Sequence, residues 1–595
     1  MCRIAGMISK RLNPEEIRQK VEMMCHALEH GGPDDEGCFS DDKVNLVFGH
    51  RRLSIIDLSR NGHQPMTDTG QRVWITFNGE IYNFLELKEQ LICLGARFHS
   101  ATDTEVIISA YIYWGMAAFS RLRGIFAFAL YDTEKALTYL VRDSSGVKPL
   151  YYHTKNGELS FASEVKALKE AGIAIESDPD WQIRFLAYGH IPEPYTTLKN
   201  VYSLQKGSFL CWHHSNSTCQ VHSYHVINNN HRITDINEAK ESIRASLKSA
   251  VNRQLIADAP IGVFLSGGID SSLLTLLANE RKKAQLKTIS IYFNEKTYDE
   301  RMYQSELLKE IDGDKFGHLV TEQDFKAYLP QIIADMDMPT TDGINSWFIS
   351  KYAHEDGLKA VLSGIGADEL FGGYPSFNRI RHLKSLRRFP ASLFSIANYL
   401  VSDPYKKIAY LTYRHPVADY LLLRGLFAAE DIAQLLEIDL HQVENILFSN
   451  RQLPYIRKYD EQDAAFFETN LYMQNQLLRD TDVMGMCHGL EIRVPFLDED
   501  FKRLTENIAP EIRFNRRQPK KLLIDSFEDI LPRAIWDRSK MGFTFPLQEW
   551  LRNNEEINNA GLYSGKKARS IMKNFKSNAM HWSKAFALYQ IRIDA

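Results

Sequence analysis

Two short stretches of this chain carry residue types that could do covalent chemistry. The first is the start, MCRIAGMIS: loss of one methionine leaves a cysteine whose thiol and free α-amine belong to one residue. With an ordinary pKa of roughly 7.7 to 8.0, that amine is a base near neutral pH and can activate its own thiol, directly or through a water. Any small second residue is unmasked the same way, so Cys2 gains weight only from the other motifs in the chain. The second stretch is SGGIDSS at 266–272, which comes after a strand pattern and opens directly into a helical one. Gly267 and Gly268 offer unhindered backbone amides, Ser266, Ser271 and Ser272 offer hydroxyls, and a helix start adds partial positive charge, a set suited to phosphate. No GxxxxGK[ST] occurs, so this is not the Walker loop that cradles a transferred γ-phosphoryl group. Asp270 inside the loop would repel phosphate unless a divalent cation lay between them, and Mg²⁺ is the expected bridge. Asp368, in LSGIGADELFGGY, falls at the carboxyl edge of the same predicted sheet and is the expected second carboxylate.

The elements that must position these residues differ between the two halves. After Pro14, the residues Ile17, Val21, Met24 and Leu28 fall at helical spacing and the run stops at Gly31-Gly32, which predicts one amphipathic helix. From there to about residue 225 the chain reads as short strands: VNLVF at 44, RVWITF at 72, GIFAFALYD at 124, LTYLVRD at 137 and LSFASE at 159. Antiparallel sheets are implied. The polar INNNHRITD from Ile227 reads as a linker, giving domains at 2–225 and 237–595 joined by 226–236. Beyond it the pattern is strand, turn, helix: PIGVFL then SGGIDSSLLTLLANE, KTISIYF then a helical stretch, GLKAVLSG then GADELFGG. Runs apolar on both faces and alternating with helices indicate a parallel sheet. From about residue 380 the texture is mostly helical, with DEQDAAFFETNLYMQNQLLRD the clearest case.

Composition narrows the class. At 595 residues the chain exceeds one core, and 44% apolar with 25% charged residues is ordinary for a globular protein. A net charge of -4 supplies no basic field for nucleic acid. The basic stretches IRHLKSLRRF and FNRRQPKKLL interleave charge with apolar residues as the solvated face of a helix does. Seven cysteines (2, 25, 38, 93, 211, 219 and 487), an odd number with no CxxC pair, argue for a reducing cytoplasm. The apolar run YLLLRGLFAA is interrupted by Arg424 and too short for a bilayer, so a cytoplasmic protein without membrane partners is expected.

With Cys2, SGGIDSS, LSGIGADELFGGY and GLEIRVPFLD in one chain, the sequence resembles the glutamine-hydrolysing asparagine synthetase family. The resemblance runs through GPDDEG at 32, RLSIID at 52, NGEIYN at 78, ATDTEVI around Asp103, YDE at 298, Lys521 and KMGFTFPLQEWL at 540. It implies an α/β and α+β protein of two domains: an N-terminal-nucleophile αββα sandwich, then a parallel-sheet pyrophosphate-loop ATP-binding domain with a helical C-terminal region. It implies further that the Cys2 thiolate attacks the glutamine side-chain amide, with Asn78 and the Gly79 amide as oxyanion hole. Arg52 would clamp the α-carboxylate, and Glu80 with Asp103 the α-ammonium. Phe264 and Ile291 would sandwich the adenine, while Ser363, Gly364 and Glu369 join the nucleotide-binding set and Lys521 neutralises phosphate charge. Ammonia would pass between the lobes through an internal tunnel. Glutamine, ATP and aspartate are the implied substrates, AMP and pyrophosphate the by-products, and a homodimer is one assembly that fits.

Four positions depart from the family pattern. Ile365 stands where members that make asparagine usually carry a glutamate able to manage protons during ammonia attack, and an aliphatic side chain cannot accept one. Gly31 replaces the arginine of the usual HRGPD, and Ser144 with Ser145 replaces a bulkier pair before GVKPLYY. The leading expectation is amidation of aspartate through β-aspartyl-AMP. The same-class alternative is another carboxylate, such as a uronic acid in surface-polysaccharide assembly, and the different-class alternative is a non-catalytic nucleotide-sensing homologue.

Overall fold

The computed structural model describes residues 2–224, 232–399, 403–449, 458–538 and 541–594. The first lobe stacks two six-stranded antiparallel sheets. One runs in the order Val201–Ser203, Tyr151–Lys155, Glu158–Ala162, Cys2–Ile8, Leu46–Arg52, Asp35–Asp41. The other runs Thr218–Ser223, Ser208–His213, Leu137–Arg142, Gly124–Asp132, Val73–Ile81, Met66–Thr67. Their facing sides interdigitate through Ile4, Phe48, Ala127, Leu140, Leu210 and Trp212. Helix Pro14–Ala27, opened by an Asn13–Glu16 capping box, covers the outer face of the first sheet with Ile17, Val21 and Met24. Helices Phe84–Cys93 and Asp103–Trp114 cover the outer face of the second. Each sheet is therefore covered on both sides, which is why Gly124–Asp132 is buried along nearly its whole length instead of alternating.

The strand read from Val44 begins at Leu46, because Asn45 takes a left-handed turn with φ of 49°. Cys2–Ile8, too short and apolar to read as alternating, is a central strand paired to Leu46–Arg52 and Glu158–Ala162. Most of the linker expected at 226–236 lies outside the described residues.

The second lobe is built on a five-stranded parallel sheet in the order Asp314–Leu319, Lys287–Tyr292, Ile261–Phe264, Ala360–Leu362, Glu491–Arg493. The chain leaves Ile261–Phe264 for two strands on one side and then returns to add two on the other. The loops after Phe264 and Leu362 thus flank a topological switch point, where open α/β sheets bind ligands. Helices Ile236–Gln254 and Ile269–Lys282 pack on one face, and Ile344–Glu355 on the other. The helix expected from DEQDAAFF onward is real but not uniform: Glu461–Phe467 and Arg479–Met486 are α-helical, and the segment between, Glu468–Leu478, is a wide π-helix. Such segments commonly mark functional sites. The motif GLEIRVPFLD supplies the fifth strand of the sheet. Among the described residues, no helix is long and apolar enough to cross a membrane.

Candidate functional site

Strand register assembles the first site. Cys2 pairs with Arg52 across the sheet, and its backbone nitrogen donates to Asn78 Oδ1 at 3.3 Å. Asn78 is fully buried on the strand Val73–Ile81 of the opposite sheet, and its Nδ2 has no protein partner, which leaves a preorganised donor beside the thiol. Gly79 comes next with φ of 148°, and a Cβ there would lie 2.1 Å from the Ile125 carbonyl oxygen, so glycine alone fits. Arg52 is aimed by its own loop: Nη1 donates to the Ser59 carbonyl at 2.9 Å and Nη2 to the Asp57 carbonyl at 2.5 Å.

Three carboxylates gather on the other side. Glu80 is buried with Oε2 unpartnered and lies 3.6 Å from Arg493 Nη2. Asp103, at the start of a helix capped by Thr102, accepts the Ile81 amide at 2.9 Å. Glu491 is paired to Arg493. Burial, then Glu491 and Asp103, hold the Glu80 carboxyl well above the ordinary range, and burial pushes Asp103 up to about 6. An arriving ammonium would relieve that crowding. Burial also pushes the Cys2 thiol up, against the Leu53 backbone hydrogen bond and the Arg52 guanidinium. The thiol thus needs a base.

The second site lies at the switch point, on a cavity of about 1760 Å³. The loop after Phe264 closes on itself: Ser266 N donates to Ser271 Oγ at 3.2 Å, and Gly268 N to Ser266 Oγ at 3.3 Å. Phe264, Ser266, Gly268, Asp270, Ser271, Ser363, Gly364, Ile365, Asp368 and Glu369 line the cavity. Gly267 turns away, giving its carbonyl to Arg538 Nη2 at 2.9 Å, and the Ser272 hydroxyl is buried without a protein partner. Ile291 is packed into the core and does not line the cavity, whereas Phe264 does.

The lysine assignment also changes. Lys521 points away, pairs with Asp525 at 2.8 Å and is 42% exposed. Lys520, at φ of 59°, turns inward instead, and its Nζ stands 2.5 Å from both Asp270 Oδ2 and Asp368 Oδ1. Burial acts to lower its pKa, but the two carboxylates outweigh that and hold the amine above its ordinary range. The two aspartates therefore converge on one point, held here by the Lys520 ammonium; a divalent cation bridging them to phosphate would take that point with the amine moved aside. No group of three or more metal-ligating side chains occurs among the described residues, so phosphate oxygens would complete the shell.

Glu369 holds the Gly366 amide at 3.1 Å and the Tyr374 hydroxyl at 2.8 Å, and burial with Asp368 beside it pushes its carboxyl up to about 7. Residues the sequence did not single out complete the cavity: Lys520, Arg538, Tyr374, Arg424, Asp342 and Asp480. YDE at 298 was the one usable signal, since its Glu300 pairs with Arg538 at 2.6 Å.

The fold defines a class: a glutamine amidotransferase of two lobes, an antiparallel two-sheet sandwich followed by a parallel-sheet α/β lobe. The family model "Glutamine amidotransferase domain" matches residues 1–225, and "Asparagine synthase" matches 242–572. The chain is similar to asparagine synthetase [glutamine-hydrolyzing] 1 of Bacillus subtilis, 32% identical over 575 residues, 94% of this chain and 89% of that one. It is 30% identical to a putative asparagine synthetase [glutamine-hydrolyzing] of Mycobacterium tuberculosis, over 89% of this chain and 84% of that one. An amidase of Gibberella zeae is 26% identical over 92% of this chain and 90% of its own length. The chain belongs to the glutamine-hydrolysing asparagine synthetase family of carbon–nitrogen ligases.

Proposed function

We propose that this protein takes ammonia from glutamine at Cys2 and uses it to amidate aspartate, activated as β-aspartyl-AMP, with AMP and pyrophosphate released. The thiol, deprotonated by the α-amine freed when Met1 is lost, attacks the amide carbon, and Asn78 Nδ2 with the Gly79 amide takes the charge on oxygen. Ammonia leaves, and water hydrolyses the γ-glutamyl thioester. In the second lobe the acceptor carboxylate attacks the α-phosphorus, and pyrophosphate departs into the 266–272 loop, where Lys520 takes the charge-neutralising role first read for Lys521. Asp270 and Asp368 would hold Mg²⁺, which supplies charge neutralisation on the phosphates. Ammonia then displaces AMP at the acyl carbon.

One observation carries this reading: an apolar cluster joins the two sites. Tyr82, Ile125 and Val147 of the first lobe pack with Met473, Leu478, Val494 and Leu497 of the second, and Ile365 at the cavity rim packs against them. A route along these apolar side chains would suit neutral ammonia better than ammonium. The test is an assay with glutamine, ATP, Mg²⁺ and aspartate: asparagine, AMP and pyrophosphate in equal amounts support the proposal, and absence of pyrophosphate with aspartate refutes its acceptor.

A second reading, another carboxylate as acceptor, is favoured by Ile365: this aliphatic side chain lines the cavity and cannot take a proton from attacking ammonia. An acceptor screen separates the two readings.

A further inference from the structure

Gly31 departs from the family's arginine, and the structure shows what uses the space. A Cβ on Gly31 would lie 2.7 Å from Arg3 Cγ and 2.9 Å from Arg3 Nε. Arg3 is the next residue after Cys2. Alternation along the strand sends the two side chains to opposite faces, Cys2 into the glutaminase sandwich and Arg3 toward the other lobe. There its guanidinium is wholly buried, with Nε 2.8 Å from Glu164 Oε1 and Nη1 2.6 Å from Asp482 Oδ2.

Asp482 belongs to the second lobe, and its other oxygen takes Lys148 Nζ of the first at 2.6 Å. Burial disfavours this carboxylate, but Lys148 and Arg3 outweigh that and hold it below the usual range. Lys148 adjoins Val147 of the apolar cluster between the sites. Asp482 sits on the helix Arg479–Met486, whose Asp480 and Thr481 line the nucleotide cavity. Glu164 ties the same network to Lys166 at 2.8 Å and His30 at 2.9 Å, and Asp337 of the second lobe accepts the Val165 and Lys166 amides at 2.8 Å each. Ser144, another departure, bonds Glu499 across the same boundary.

We propose that Arg3 and Asp482, with Lys148 on the second oxygen, are positioning residues that couple glutamine hydrolysis at Cys2 to the occupancy of the nucleotide cavity. A shift of the helix bearing Asp480 and Thr481 reaches Cys2 through one ion pair and one peptide unit. Gly31 is the sequence change that admits this connection, since any side chain there meets Arg3. The inference rests on the reading of Cys2 as nucleophile and of the larger cavity as the nucleotide site.

The test is Asp482→Asn in the full-length protein, which keeps shape and removes charge. With glutamine, ATP, Mg²⁺ and aspartate, glutamate released per pyrophosphate formed should rise by about 2- to 30-fold, the span usual for changes along a coupling network. Pyrophosphate formation fed by ammonium chloride should stay within about twofold of wild type, because Asp482 touches neither reacting group. Hydrogen exchange of Cys2–Ile8 should also accelerate, whichever acceptor the enzyme uses. Gly31→Ala, which displaces Arg3 without deleting a charge, should move both readouts in the same direction and keeps the question decidable if the Asp482 variant does not fold. An unchanged ratio together with unchanged exchange in the folded variants overturns the coupling. If wild type makes no pyrophosphate with aspartate from either nitrogen source, the acceptor reading fails instead, and the exchange measurement alone decides the proposal.

Discussion

The two sites are built in different ways. The Cys2 pocket is set by register: Cys2 opposite Arg52 on one sheet, and alternate residues Asn78 and Glu80 on one face of the strand Val73–Ile81. Its residues have little freedom to be elsewhere once the sheets form. The large cavity of the second lobe is instead gathered from the loops after two parallel strands, the helix with a π-helical stretch between 468 and 478, and the segment near Lys520. A register-built site suits one fixed reaction. A site assembled from loops can vary one part of its lining while keeping the others, because connecting segments tolerate sequence change better than the elements they join.

The comparison is broken most forcefully at the nucleophile. Cys2→Ala should lower glutamine hydrolysis by at least about 10⁴-fold, as loss of a nucleophile does, and leave ammonia-fed pyrophosphate release intact. Loss of both activities in a radiolabelled assay would show that the lobes do not divide the chemistry. Asn78→Ala should lower kcat for glutamine hydrolysis by about 10²- to 10³-fold, the usual worth of one oxyanion donor, with KM little changed. A change confined to KM would make Asn78 a binding group only.

The second lobe is sharpened by a paired substitution. Lys520→Met should lower pyrophosphate release by about 10²-fold, comparable to removing one charge-stabilising donor, whereas Lys521→Met should stay within about twofold. Equal effects would restore the assignment to Lys521. The smallest effect concerns pH. Asp103 is raised to about 6 in the folded protein, so below that pH it is protonated and no longer attracts the substrate's ammonium. kcat/KM for glutamine should therefore fall by about tenfold per pH unit as pH drops below about 6, and Asp103→Asn should flatten that limb. In glutamine-free protein the same raised pKa means the folded state binds this proton more tightly than the unfolded chain. Its contribution to stability is then full below the ordinary carboxyl range and lost as pH rises through about 6.

Much of this was legible without coordinates wherever the information is local. The helix Pro14–Ala27 is dictated by its proline start and periodicity, although it ends at Leu28, one 3-10 turn short of the expected stop at Gly31-Gly32, and the 266–272 loop by a strand meeting serine and glycine before a helix. Lys520 and Lys521 could not be told apart in the sequence because adjacent residues in a basic run look alike: only the left-handed turn at Lys520 decides which one faces the carboxylates. The core position of Ile291 was hidden for a related reason, since a strand buried on both faces does not tell which neighbour will line a cavity.

The order of residues by itself determined the chemistry on offer: a thiol next to the start, a phosphate-binding turn, and the glycines that backbone geometry demands. Those depend on short-range sterics and hydrogen bonding. Only the tertiary structure decided the partnerships: Arg3 with Asp482, Lys520 with Asp270 and Asp368, Glu80 with Arg493. A buried charge must find an opposite charge wherever the packed chain brings one, and sequence distance does not constrain that choice.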